Sequence, residues 1–188
     1  MPNHCYNELK VLGPEDAISK FKETARGFNP WNTANPEILC CAKFIPPPQI
    51  AIDDYDRIGY AWCIRRWDTK WGCYDVELSI DEPTELLYIF DSAWSPPSSV
   101  VIEMGRLFSE LKFELYFEEP GDDFEGDLVI ENGKVIKDET RKYKHFCDIC
   151  DLKNSSVVYV DEFEENLCPD CLKKRREEKE KEVSKDGA

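Results

Sequence analysis

Near the C-terminus the chain reads Cys147-Asp148-Ile149-Cys150 and, seventeen residues later, Cys168-Pro169-Asp170-Cys171. This C-x2-C-x17-C-x2-C spacing suits a tetrahedral four-thiolate zinc site, in which each close pair makes a knuckle and the intervening segment brings the chain back to the metal. Four thiolates fill the coordination sphere and leave no position for a reacting water, so the expected Zn2+ is structural, not catalytic. The alternative for two CxxC pairs, disulfide or dithiol redox chemistry, lacks a thioredoxin-like context here. His145, two residues before Cys147, is at most a spare ligand. The segment has few apolar side chains, and a span this short folds only with such a staple. Val157 to Val160 reads as a strand and Leu172 to Glu182 as a charged helix that frays into residues 183–188. The expected module is therefore treble-clef-like or a zinc ribbon.

A second group joins aromatic and basic residues: Arg65, Arg66, Trp67, Lys70, Trp71 and Trp94. Aromatic faces beside cationic groups can stack on a base and hold a phosphate, which makes these six the candidate ligand-binding residues for a nucleotide or a single strand. Against this, large amphipathic rings also pin long loops onto a sheet, with each indole N–H needing one partner. The remaining cysteines, Cys5, Cys40, Cys41, Cys63 and Cys73, lie among apolar neighbours without ligand spacing and read as core thiols. The carboxylates Asp75, Glu118, Glu119, Asp122 and Asp123 read as surface charge. His4 and Cys5 point to opposite faces of a strand and cannot share a proton. No Gly-rich phosphate loop, serine elbow or HExxH motif occurs. No catalytic residue is assigned, and a non-enzymatic protein is expected.

The elements that must position these groups follow from hydrophobic periodicity. Cys5 to Leu12 alternates, with Cys5, Asn7, Leu9 and Val11 on one side, and ends at Gly13-Pro14. Residues 14–26 form an amphipathic helix with Ala17, Ile18, Phe21 and Ala25 inward, closed by Gly27. Cys73 to Ile80 alternates again and turns at residues 81–84 into a strand over 86–94. Pro96-Pro97 opens a second helix with Val100, Val101, Met104, Leu107, Phe108 and Leu111 inward, and residues 112–118 alternate once more. Asn132-Gly133 suits a type I′ turn between strands at 127–131 and 134–138. The order βαββαβ is that of an α+β, ferredoxin-like fold, an antiparallel sheet with two helices on one face and an extra β-hairpin. Residues 28–72, rich in Asn, Pro and Trp, form a long insertion after the first helix. An insertion of that length is functional or carries short helices of its own.

Several stretches form a set: Met1-Pro2-Asn3-His4-Cys5-Tyr6-Asn7, the run from Trp67 to Asp75, Ala93-Trp94-Ser95-Pro96-Pro97, and Tyr116 to Gly121 with Phe124 and Gly126. Together they resemble the YubB-type ferredoxin-like domain family, uncharacterised proteins encoded largely by bacteriophages, prophages and plasmids. The resemblance covers about residues 1–135 and implies the fold and a mobile-element origin, with no activity to carry over. Asp68 stands where that pattern more often has glycine.

Composition bounds the function. The 188 residues, 41% hydrophobic and 34% charged, suit one domain of ordinary size plus an appendage. We divide them at 1–140 and 141–188. The longest run without charge, Ser92 to Ile102, is too short to span a bilayer, and the opening residues show no basic stretch followed by an apolar one. No membrane association and a cytoplasmic location, the host cytoplasm for a phage protein, are expected. The net charge of −15 is concentrated in the first part: residues 1–140 carry 13 basic and 27 acidic side chains, against 11 and 12 in 141–188. Phosphate backbones are repelled by such a surface, so duplex DNA is disfavoured. The reading is a zinc-containing binding protein that modulates or docks on a host protein. The second is a nucleotide or single-strand binder, and the third an uncharacterised enzyme.

Overall fold

A computed structural model describes residues 3–154 and 156–186, and contacts divide the chain into two compact units, residues up to Arg141 and from Lys142 onward. The first unit is built on β1 (His4–Leu12), α1 (Glu15–Ala25), β4 (Tyr74–Glu82), β5 (Glu85–Ala93), α4 (Ser98–Leu107) and β6 (Lys112–Glu119). A hairpin of β7 (Phe124–Glu131) and β8 (Lys134–Lys142) follows. The sheet order is β4-β5-β1-β6-β7-β8, with the registered pairs antiparallel, so the first six elements make the split βαβ arrangement and the hairpin extends it at one edge.

The alternation of β1 buries Cys5, Asn7, Leu9 and Val11, and β5 and β6 add Leu86, Tyr88, Phe90, Phe113, Leu115 and Phe117 to the same core. Helix α1 places Phe21 at its centre, with ring centroids 5.3 Å from both Phe108 and Phe113, 5.8 Å from Phe44 and 6.3 Å from Tyr88. Edge-to-face packing of this kind adds to the burial of the ring itself.

Three expectations need correction. Helix α4 stops at Leu107, which is 47% exposed; Phe108 and Leu111 are buried from the turn that follows, because the chain must swing back to start β6. The extra hairpin is longer than Asn132-Gly133 and its alternation suggested. Arg141 bonds Glu125 at 2.9 Å and Asp127 at 2.5 Å, and Lys137 bonds Asp127 at 3.0 Å, so polar cross-strand pairs carry the hairpin beyond its apolar stretch. Helix α1 is one residue shorter at each end than the expected 14–26, and Gly27 beyond it begins a strand, where a Cβ would lie 2.7 Å from the Lys43 side chain.

The insertion carries elements of its own: β2 (Gly27–Asn29) and β3 (Asn32–Glu37) pair as a small hairpin, and α2 (Gln49–Asp53), a π-helical turn (Tyr55–Gly59) and α3 (Tyr60–Trp67) follow. Its return to the sheet is a hydrogen-bonded seam. Thr69 Oγ1 donates to Ala93 O (2.9 Å) and accepts from Ala93 N (3.0 Å). Asp68 adopts φ 64, the left-handed conformation glycine takes most easily, so a glycine of the kind the resemblance implies would fit this backbone. Its carboxylate has a use glycine lacks: Oδ2 accepts from Ser99 N at 2.6 Å and caps α4, whose preceding Pro97 offers no side-chain cap. The Ser95 hydroxyl donates to Asp68 O, and Trp94 N donates to Asn3 O at 3.0 Å. The recurring motifs thus meet at one end of the sheet; Met1 and Pro2 lie outside the described residues.

In the second unit β9 (Val158–Val160) and β10 (Glu165–Leu167) form a hairpin before α5 (Pro169–Asp186). The helix begins three residues before the expected Leu172 and does not end at Glu182; residues 183–186 remain helical, and residues 187–188 lie outside the description, as does Ser155. No described helix is long and apolar enough to cross a membrane.

Two substitutions test this account. Phe21→Ala should lower unfolding free energy by about 3–5 kcal/mol, read from denaturant midpoints, because its cavity faces four other rings. Asp68→Asn should be near neutral, since Asn caps and tolerates positive φ. Asp68→Ala should cost about 1–2 kcal/mol, and equal stability of the two would remove the capping role.

Candidate functional site

The four cysteines of the second unit come together. Their Sγ atoms all lie within 4.8 Å of one another, and Cys150 and Cys168 are 3.8 Å apart. A regular tetrahedron of thiolates at about 2.3 Å from a central ion has edges of about 3.8 Å, so the donor set fits a four-coordinate metal.

Local bonding fixes each ligand. Cys147 N donates to Leu152 O and Asp151 N to Cys147 O, with Asp151 left-handed at φ 56, and a Phe146–Lys153 bridge closes the first knuckle. Asp148 N donates to Asn166 O (2.9 Å) while Asn166 N donates to Asp148 Oδ2 (2.6 Å), which ties the knuckle to β10. Leu167 leads directly into Cys168, and Cys171 sits in the first turn of α5, where the helix dipole favours a thiolate. Knuckle, hairpin and helix follow in treble-clef order rather than as a ribbon.

Burial opposes ionisation of Cys147, yet backbone N–H groups of Cys168, Ile149 and Cys150 more than offset it and bring its pKa down to about 6. Burial and the neighbouring thiols instead push Cys171 up to about 12. Around the cluster only Val157 and Leu167 are fully buried hydrocarbon, with Val160, Phe163 and Leu172 partly so. Arg175 bonds Glu165 at 2.5 Å and Lys179 bonds Glu162 at 2.8 Å, both cations lying over the Phe163 ring, so these basic side chains clamp α5 to its own hairpin.

The structure separates the six aromatic and basic candidates of the first unit. Lys70, Trp71 and Trp94 do meet: the Lys70 ammonium is 4.8 Å from the Trp71 ring, 5.1 Å from Trp94 and 5.9 Å from Tyr60. Trp67 does not join them. It is fully buried, donates from Nε1 to Ile45 O at 2.9 Å, and packs edge-on against Trp31 and Trp62. Arg65 and Arg66 line a different groove with Ile45, Ser99 and Glu103, and Arg65 Nε bonds Ala61 O within its own helix. The helical spacing of Tyr60 to Trp67 decides this: α3 turns Cys63 and Trp67 inward and the arginines outward. The chain thus fills its aromatic cage with its own Lys70, and the expected single basic-aromatic spot is not formed.

The five scattered cysteines are all buried, and burial pushes Cys5, Cys40 and Cys63 up to about 12, far from a reactive thiolate. Glu119 is also buried and accepts from the backbone N–H groups of Gly121 and Asp122, holding the β6–β7 turn. His4 bonds Tyr74 through Nδ1···OH at 2.8 Å, not Cys5.

A cavity of about 330 Å³ escaped the sequence reading; Trp31, Tyr55, Trp71 and Tyr74 line it, with Asn29 and Glu37. Gly59 lets Trp31 approach, since a Cβ there would sit 2.5 Å from Ala51 O and 3.3 Å from the Trp31 ring. One signal was available. Between Arg26 and Lys43, Glu37 is the single charged residue, set among Asn, Pro and Trp.

Comparison with known proteins gives a fold without an activity. A crystal structure of a protein api92 from Yersinia pseudotuberculosis aligns with a TM-score of 0.53 at 9% identity, covering 77% of this chain and 99% of that one. No curated protein matches. The family described as the ferredoxin-like domain in Api92-like protein matches residues 66–160, from the last turn of α3 through the sheet to β9. The chain belongs to this family of ferredoxin-like domains of Api92-like proteins.

Proposed function

We propose that the chain is a non-enzymatic binding protein of a phage or other mobile element, of the YubB type, whose C-terminal unit is held by one structural zinc ion. The observation that carries the zinc is the thiolate set: four Sγ atoms within 4.8 Å, one pair at the 3.8 Å edge of a zinc–thiolate tetrahedron. Zinc is favoured over a harder cation because all four donors are sulfur. With four protein ligands, the ion cross-links and supplies no reaction.

The binding surface is the sheet face turned away from the helices. Glu8, Glu114 and Asp127 share a shallow concavity there with Lys10, Lys137, Tyr116 and Val129; Asp127 pairs with Lys137 and Arg141, Glu114 pairs with Lys112, and Tyr6 and Tyr116 bond Glu8 and Glu118. The net charge of −15 suits a basic protein surface and repels a phosphate backbone, which supports a host protein in the host cytoplasm as partner. Two of the carboxylates read above as surface charge serve the fold, Glu119 as a turn clamp and Glu118 as the Tyr116 acceptor.

Native mass spectrometry should show one zinc ion per chain, reduced in occupancy by Cys171→Ser. A strong chelator should abolish ordered signals from residues 147–171 and leave the main melting transition of the first unit intact. A metal-free chain with full order in that segment would overturn the zinc reading; a single cooperative collapse would overturn the independence of the two units. Capture of a host protein should weaken steeply between low and high salt. Salt-insensitive capture would move the interface away from the acidic face.

A further inference from the structure

The cavity of the first unit has a chemistry that neither the zinc module nor the acidic sheet face uses. Its walls are four aromatic rings whose polar tips are mostly committed elsewhere. Trp31 Nε1 donates to Ala51 O at 3.2 Å, Tyr55 OH donates to Lys70 O at 2.8 Å, and Tyr74 OH bonds His4 Nδ1 at 2.8 Å. What these residues leave to line the cavity is ring surface, and the Lys70 ammonium lies 4.8 Å from the Trp71 ring. Asn29 turns its Oδ1 to Trp31 N at 3.1 Å.

Glu37 is the exception. Its Oε2 is buried and has no hydrogen-bond partner among the described residues, although it belongs to a side chain that lines the cavity. Burial raises the Glu37 carboxyl above the usual carboxylate range, against the lowering effect of hydrogen bonds from Asn29 and Cys40. A buried acceptor left unmade is costly, and a donor entering the cavity recovers that cost. Among the described residues no Lys or Arg lines the cavity, so a phosphate would meet a carboxylate and no cationic lining. An apolar ligand would leave Oε2 unpaired. Electron-rich ring faces together with one carboxylate are complementary to a cation carrying N–H groups. The volume, about 330 Å³, lies at the small end of ligand pockets.

We propose that the cavity lined by Trp31, Tyr55, Trp71, Tyr74, Asn29 and Glu37 binds a compact alkylammonium group, with Glu37 as its ion-pair partner and the rings as its cage. A free diamine and the side chain of a lysine residue share this chemistry. The proposal goes beyond the zinc and sheet-face reading and does not depend on it, because every lining residue belongs to the first unit.

The test uses the full chain and calorimetric titration, with tryptophan emission as a second readout because Trp31 and Trp71 form two walls. The probes are 1,5-diaminopentane, Nα-acetyl-lysine methylamide, neutral 1-pentanol, and AMP. One or both amines should bind saturably while pentanol and AMP do not, and the tighter amine identifies the source. Glu37→Gln, which keeps shape and removes charge, should weaken amine binding about tenfold or more. Binding should survive chelation of the metal, which separates this result from failure of the zinc reading. Equal binding of pentanol, binding of AMP alone, absence of amine binding at millimolar concentration, or a folded Glu37→Gln variant that binds as the parent does would each overturn the proposal. The comparison of amine with pentanol on the parent chain stands even if Glu37→Gln does not fold.

Discussion

Much of the first unit depends on the short seam where the insertion returns to the end of the sheet. At Thr69 one hydroxyl donates to and accepts from the same residue, Ala93, and so takes the place of a strand neighbour where no strand is present. One residue earlier, Asp68 bends the chain through a left-handed conformation and spends its carboxylate on the first turn of α4. These bonds tie three things together: the end of β5, the start of α4 and a loop of some forty residues. Since a loop of that length has a large closure entropy, its fixed position requires bonds of this kind at its exit. Trp67 completes the anchoring from the apolar side, buried beneath Ile45 and between Trp31 and Trp62. The aromatic cavity exists because both ends of its wall are held, β2–β3 at one side and the lead into β4 at the other.

The second unit solves the opposite problem. It has almost no hydrocarbon to bury, and its only fully buried apolar side chains besides cysteine, among the described residues, are Val157, Leu167 and Tyr143. A core that small does not offset the entropy of ordering the chain. Its backbone bonds instead converge on the sulfurs, with the first knuckle tied to β10 and the second placed at a helix start. The electrostatics of the cluster are divided: backbone N–H groups depress Cys147, while burial and the neighbouring thiols raise Cys171.

How much of this could be read from residues alone varies with the kind of signal. The alternation of Cys5 to Leu12 and of Tyr74 to Ile80 placed strands and faces, because a buried face leaves a period-two record. Cysteine spacing placed the four-thiol cluster, because ligand geometry constrains sequence distance. Where position depends on contacts distant in sequence, the record is absent. Arg141 extends the last hairpin by pairing with Glu125 and Asp127, which no local pattern announces. Trp67 and Trp71 are four residues apart, yet the end of α3 falls between them and sends one to the core and the other to a cavity wall. The cavity itself draws on β2, β3, the π-helical turn and the approach to β4, so its members share no spacing at all. Asp68 marks an intermediate case: its departure from glycine was visible, and its meaning as a cap required Ser99 to be seen beside it.

The global charge and the local site bear on ligand choice in the same direction. A chain of net charge −15 raises the concentration of cations near its surface and lowers that of anions, over distances of about a Debye length. The field alone confers no specificity, since any cation responds to it. Selection requires a place where a cation gains more than water offers, which means a desolvated carboxylate and ring faces fixed in advance. In the ferredoxin-like scaffold the sheet and two helices supply the rigidity, while the insertion supplies Trp31, Glu37 and Tyr55. Fold and site are therefore separable here: the scaffold is common to the family, and the chemistry of this chain is carried by the segment placed between its first helix and its second scaffold strand.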